Sequence, residues 1–330
     1  MHSESDLPSE LATLRFARFR LRLKAKTALL LPAYKGSALR GGFGQVFRRI
    51  ACLGTDHGFG QCLLGDRCPY HYIFETPPPA GSVVLDKVPT APQPFVIEPP
   101  LETKRVYEPG EDLLFHLVLI GKALDYLPYF IYTFDELGRV GLGRGKGNYM
   151  LESVAWMDAS STAVPVYDGD RKVLTDSFSP LSLSQLSVSD SSLSPISVSL
   201  SFLTPTRLKF ENQLAGDCEF HVFFRNLTRR LALLDYFHCG GEFPPERREF
   251  VERARAIETV TSDLRWIDWE RYSNRQQTRM KLGGFVGQVT YRGDFTEFLP
   301  YLVLGTYTHV GKGATFGLGG YRIVECSDRK

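Results

Sequence analysis

The chain has 330 residues, 43% hydrophobic and 23% charged, with a net charge of +2. This is the make-up of a soluble globular protein long enough for two domains. Total charge therefore does not announce a nucleic-acid binder. No run reaches the ~18 apolar residues that a spanning helix needs. No basic segment precedes an apolar one near Met1, so no secretory leader and no membrane partner are expected, and the expected location is cytoplasmic.

In chain order, residues 1–12 read as a tail. Residues 14–25 alternate apolar and basic, most cleanly from Arg18 to Lys24, which predicts a strand with one buried and one basic face. A helix follows, with Ser37 as its cap and Leu39, Phe43, Val46, Phe47 and Ile50 as its apolar stripe. A loop with Cys52, Cys62 and Cys68 and a Pro-rich stretch (77–100) lead to an apolar strand at 113–120, which contains His116, read as a core residue. A helix near 122–137, a glycine-rich loop and a strand at 149–156 close the first half.

Residues 161–197 read as a Ser-rich connection between a first domain (13–160) and a second (198–330). The second half repeats the order. A strand at 198–210 precedes a helix at 219–237 striped by Phe220, Phe223, Phe224, Leu227, Leu231 and Leu234, with Arg225 and Arg229 on another face. That helix ends at His238-Cys239 before Gly240-Gly241. A charged helix near 246–258 is an insertion. Strands flank Tyr272–Lys281 and cover 284–291, a helix starts at Gly293, and a second glycine loop precedes a strand at 321–325. Each half therefore predicts an α+β unit of the ferredoxin-like order β-α-β-β-α-β, two in tandem.

The two glycine segments, 141–149 and 311–321, superimpose at a constant shift of 172 positions. The shift pairs Leu127-Pro128-Tyr129 with Leu299-Pro300-Tyr301, Gly145 with Gly317, Gly147 with Gly319, and Tyr149 with Tyr321, the pattern of a duplicated unit. Glycines let backbone N–H groups approach an anion, so the loops either hold phosphates or make tight connections. Neither is a P-loop, and neither stands at the first strand-helix turn that a dinucleotide fold uses. A small nucleotide as ligand is the weakest of the readings.

These features resemble the RAMP superfamily of CRISPR-associated proteins, and more closely its repeat-cleaving endoribonucleases. The resemblance rests on the terminal loop Gly311-Lys-Gly-Ala-Thr-Phe-Gly-Leu-Gly319, with support from Lys35-Gly-Ser-Ala-Leu-Arg-Gly-Gly-Phe-Gly44, Cys68-Pro-Tyr70, Leu127-Pro-Tyr-Phe130, Gly141-Leu-Gly-Arg144, Arg271-Tyr-Ser-Asn-Arg275 and His309-Val-Gly-Lys312. It covers the chain from about residue 14 onward. It implies metal-independent cleavage of CRISPR repeat RNA into guide RNA with 2′,3′-cyclic phosphate and 5′-hydroxyl ends. The alternative is a RAMP subunit that holds guide RNA without cutting it, among other subunits of an effector complex.

Such cleavage needs a base for the 2′-hydroxyl, an acid for the leaving 5′-oxygen and a cation for the phosphate. The family often supplies a histidine from the first helix, and residues 34–52 contain none. The catalytic candidates are then His309 and Lys312 at the terminal loop, and Tyr34 and Lys35 at the start of the first helix. RNA contacts are expected from Arg40, Arg144, Lys146, Arg225, Arg229, Arg275, Arg279 and Lys281, and from the loop glycines Gly311, Gly313, Gly317 and Gly319. The resemblance implies that catalysis requires no cofactor. A structural zinc on Cys52, Cys62, Cys68 and His57 (or His71) competes with buried free thiols, and the spacing is not that of a common zinc motif.

Overall fold

The computed structural model describes residues 8, 11–52, 67–78, 82, 84, 90–186, 195–211, 213–214, 218–244, 247–268, 270–273, 278–281 and 283–328, with the side chains of 213–214, 270–273, 278–281 and 328 left aside. The chain divides into two compact units. The first holds Thr13–Ser182 and Leu233–Gly240; the second holds the described parts of Met1–Ala12, Leu183–Ala232 and Gly241–Lys330.

The first unit runs β1 (Phe16–Ala25), β2 (Leu29–Leu30), α1 (Gly36–Ala51), β3 (Phe95–Glu98), β4 (Val106–Tyr107), β5 (Asp112–Ile120), α2 (Leu127–Val140), β6 (Tyr149–Met157), β7 (Ala163–Asp168) and β8 (Val173–Leu174). Its main sheet has the order β3-β5-β1-β6-β7-β8, and its strands pair antiparallel. The four strands of the ferredoxin-like order are β1, β3, β5 and β6. The alternation in β1 buries Phe19, Leu21 and Leu23 at 0–1% exposure against the helices. Phe43 of α1 stacks on Phe130 and Phe134 of α2 at 4.8 and 4.9 Å, which locks the two helices over that face.

The opposite face of β1 differs from its expected basic character. Arg18 pairs with Glu98 (2.8 Å), Arg22 with Asp112 (2.5 Å) and Glu152 (2.7 Å), and Lys24 with Glu152 (2.8 Å). Other strands of the sheet supply the carboxylates, so the face is largely neutralised. Period-two reading sees one strand at a time and misses its partners. His116 stands on this same face, 3.9 Å from Glu98, and is half-buried rather than a core residue.

The second unit runs β9 (Pro195–Thr206), β10 (Lys209–Phe210), β11 (Gln213–Leu214), α3 (Phe220–His238), α4 (Arg247–Arg253), β12 (Glu258–Ile267), β13 (Glu270–Ser273), β14 (Thr278–Lys281), β15 (Gly284–Arg292), α5 (Leu299–Thr308) and β16 (Tyr321–Asp328). The last two turns of α3 fall in the first unit's residue set. The sheet order is β12-β15-β9-β16, again antiparallel. This is the arrangement β3-β5-β1-β6 of the first unit, strand for strand. Phe220, Phe223, Phe224, Leu227, Leu231 and Leu234 are all at most 1% exposed. Each such side chain contributes roughly 1.5–3 kcal/mol of burial.

The sequence repeat is a structural repeat. Helices α2 and α5 begin at Leu127 and Leu299, and strands β6 and β16 begin at Tyr149 and Tyr321, both at the shift of 172. Each helix carries a proline in its first turn, where no N–H is needed. Each tyrosine hydroxyl donates to a carbonyl of its helix, Tyr149 to Phe134 and Tyr321 to Leu302, at 2.7 Å in both.

Several local expectations are corrected. Lys35, not Ser37, occupies the N-cap of α1, and no side chain caps it. A 3-10 turn (Gly121–Tyr126) separates Gly121 from α2, and α5 starts six residues after Gly293. Residues 163–174, expected in the connection, add β7 and β8 to the first sheet. Strand 198–210 breaks after Thr206, and β13 and β14 form a hairpin between β12 and β15.

Candidate functional site

The terminal glycine loop is built on the segment that leaves β9. The N–H of Gly319 donates to the carbonyl of Pro205 (3.1 Å) and the N–H of Lys312 to that of Arg207 (3.1 Å). Thr204 donates its hydroxyl to the carbonyl of Gly317 (2.7 Å) and accepts the N–H of Gly320 (2.8 Å). Gly311 has φ +78°, and a Cβ there would lie 2.4 Å from the carbonyl oxygen of Arg207. Glycine is needed for both reasons.

This packing collects cations. Lys312 is exposed, and Lys209 and Arg207 are the charges that act on its amine. Its pKa is lowered first by partial burial of the amine and then by Lys209 and Arg207, because like charges disfavour the ammonium. Asn226 of α3 pins Lys209 through the backbone: its amide donates to the Lys209 carbonyl (3.1 Å) and accepts the Lys209 N–H (3.3 Å). The basic surface continues along α3. The guanidinium of Arg225 lies 5.7 Å from the Phe210 ring centroid. Arg247 is lowered to about 10, by burial first and then by Arg229 and Arg225. Such a run of cations suits a polyanion.

The other expected site residues fall as follows. His309 caps α5 with φ +60° and is only 4% exposed. Its Nδ1 donates to the carbonyl of Leu318 (3.1 Å), and its ring fills the space where a Cβ on Gly320 would sit. It lies under the loop rather than at the loop's mouth. Lys35 is fully enclosed, its ammonium donating to the carbonyls of Glu102 (2.7 Å) and Ala33 (3.3 Å), and burial lowers its pKa. To reach a phosphate it would have to leave both carbonyls. Tyr34 is half-buried, and burial of its hydroxyl pushes its pKa up. Arg40 lies 4.8 Å from the Phe74 ring centroid and donates to Gln93 (3.4 Å).

The first glycine loop is anchored like the second, the N–H of Arg144 donating to the carbonyl of Leu30 (2.9 Å). The side chains of Arg144 and Lys146 are exposed, as are those of Arg225 and Arg229. Arg279 and Lys281 lie on β14, and Arg275 lies outside the described residues. Of the expected zinc ligands, His57 and Cys62 also lie outside them. Cys52 is half-buried; Cys68 is buried with Sγ 3.9 Å from the Ala51 carbonyl. Among the described residues no three His, Cys, Asp or Glu side chains are grouped to hold a metal. Sequence reading overlooked Arg207, Lys209 and Asn226. The basic and apolar alternation of Arg207-Leu-Lys-Phe210 was the available signal; Asn226 carried none.

Comparison with known proteins fits this geometry. A family described as an N-terminal domain, AF_1859_N, matches residues 14–178, half of the chain. The CRISPR-associated endoribonuclease Cas6 family matches residues 200–321. An uncharacterised protein of Archaeoglobus fulgidus is 27% identical over 300 residues, 89% of this chain and 92% of its own length. A Cas6 product complex aligns with a TM-score of 0.58 at 16% identity, over 94% of this chain and 99% of that one. A chain of a partial Cas6-RT-Cas1–Cas2 complex aligns with a TM-score of 0.57 at 16% identity, over 95% of this chain and 46% of that longer one. The fold is therefore the one seen in Cas6 structures, and the Cas6 family match accounts for residues 200–321. The chain belongs to the family of the AF_1859_N domain and carries the Cas6 endoribonuclease domain in its second unit. Among the described residues, no helix is long and apolar enough to cross a membrane.

Proposed function

We propose that the chain cuts CRISPR repeat RNA by transesterification without a metal, and that the terminal loop with Lys312, Lys209 and Arg207 holds the phosphate. The ribose 2′-oxygen attacks the adjacent phosphorus and loses its proton. The bond from phosphorus to the 5′-oxygen breaks, and that oxygen takes up a proton. The products carry a 2′,3′-cyclic phosphate and a 5′-hydroxyl.

The observation that carries this reading is that Lys312 of the loop is bonded through its N–H to the Arg207 carbonyl (3.1 Å), with its amine made more acidic by partial burial and by Lys209 and Arg207. Lys209 and Arg207 offset the charge of the phosphate in the transition state. A protonated Lys312 with a lowered pKa is a better proton donor to the 5′-oxygen than an ordinary lysine. His309 fixes the loop from beneath, and Lys35 fixes the start of α1. Single-turnover cleavage tests the assignment: Lys312→Ala slows the chemical step by ~10²-fold or more, the lower end for losing an acid. An unchanged rate would remove Lys312 from catalysis.

A second reading, a guide-RNA-holding subunit that does not cut, is favoured by one observation. His309 and Lys35 are both enclosed and bonded to backbone carbonyls. Binding of repeat RNA with no product would support it.

A further inference from the structure

Beside the cation group stands an aromatic ring that the core does not use. Phe202, Phe220, Phe223 and Phe285 of the second unit are sealed at 0–2% exposure, whereas Phe210 is only half-buried. It follows Lys209 directly, in a two-residue strand paired to Gln213–Leu214, with Phe210 opposite Gln213. Asn226 holds the Lys209 backbone from both sides, which fixes the strand's position on α3. His221 meets the Phe210 ring edge-on at 5.7 Å and 85°, which fixes the ring's orientation. Arg225 is exposed, with its guanidinium 5.7 Å from the ring centroid.

A half-exposed ring held in place next to an exposed guanidinium and a group of cations has a definite chemistry. Every base has a π-face, and aromatic rings and guanidinium planes are what unstacked RNA bases lie on. A paired base is already stacked in its helix and cannot use such a platform.

We propose that Phe210 and Arg225 form a stacking subsite for one unpaired nucleotide of the bound RNA, adjacent to the phosphate held by Lys209 and Lys312. This rests on the RNA reading above and adds a property to it: the RNA is single-stranded at that position. Phe210 supplies the face; the exposed Arg225 guanidinium, which lies over that ring at 5.7 Å, lifts to admit the base and then covers it, and the adjoining backbone phosphate runs onto Lys209.

The test is a coupling measurement in EDTA at fixed salt. The probes are repeat RNA from the array neighbouring the gene and a set of the same RNA with one abasic nucleotide each. With the native chain, one abasic position weakens binding by about thirtyfold, the middle of the range for a stacked base. Phe210→Leu weakens binding of intact RNA by a similar factor, and the same abasic position then costs nothing further. Phe210→Trp retains native binding. Should Phe210→Leu fail to fold, Arg225→Gln reports the same coupling from an exposed site. Equal abasic penalties in native and variant chains at every position overturn the subsite and leave the RNA reading standing. Absence of any binding to repeat RNA overturns both.

Discussion

The backbone amide of Lys312 donates to the carbonyl of Arg207 at 3.1 Å, which joins the terminal glycine loop to the segment leaving β9 and sets two cations side by side. Fold and chemistry meet at this bond. The loop cannot move from the sheet without separating the charges that would hold a phosphate.

RNA affinity is therefore expected to fall without much dependence on sequence when these charges are removed. Lys209→Ala with Lys312→Ala should lower the steepness of log K against log salt by ~0.7 per lost phosphate contact on a single strand. Filter binding at several salt concentrations measures it. A native salt slope in the double variant would place the RNA elsewhere.

The loop's geometry can be tested with two glycines of nearly the same backbone conformation. Gly311 (φ +78°) has the Arg207 carbonyl where a Cβ would go, whereas Gly145 (φ +80°) has nothing within 4 Å. Gly145→Ala carries only the left-handed conformational cost of ~1 kcal/mol. Gly311→Ala adds a backbone clash and should lose at least ~2 kcal/mol together with RNA binding. Denaturant unfolding of both variants compares them; equal losses would mean the Arg207 contact is not as described.

Lys35 separates a structural lysine from a catalytic one. It is 0% exposed and bonded to the Glu102 and Ala33 carbonyls. Lys35→Ala should destabilise the first unit by ~2–4 kcal/mol, from the lost buried side chain and the orphaned carbonyls. Cleavage per folded molecule should stay within about threefold. A drop of ~10²-fold at unchanged stability would instead make Lys35 catalytic.

His116 gives a pH signature. Burial first, then Arg18, lower its pKa from 6.5 to about 4. Between those values the unfolded chain binds a proton that the folded one does not, so stability is full above pH 6.5 and declines as pH falls towards 4. The loss is on the order of 2–3 kcal/mol. His116→Gln should flatten the slope of stability against pH in that window, measured by urea unfolding at pH 4.5 and 7.

The repeat and both ferredoxin-like orders were legible in the sequence because they are carried by local signals. Those signals are the alternation in β1, the stripe on α3, and the paired Leu-Pro-Tyr and glycine segments at one shift. The site was less legible because its determinants are not local. The carboxylates that neutralise Arg18, Arg22 and Lys24 come from other strands. His309 looked like a residue at the mouth of a loop until a left-handed turn placed its ring on the Leu318 carbonyl. Lys35 looked like a catalytic candidate at the start of a helix until Glu102, 67 residues away, took its ammonium. Arg207 and Lys209 gained meaning only when Lys312 folded back onto them.

The most direct test of the central claim is incubation of the native chain with repeat RNA in excess EDTA, followed by analysis of the product ends. The account predicts cleavage at one position, with a 2′,3′-cyclic phosphate on one fragment and a 5′-hydroxyl on the other. Tight binding with no cleavage, or cleavage that appears only when a divalent metal is restored, would contradict it.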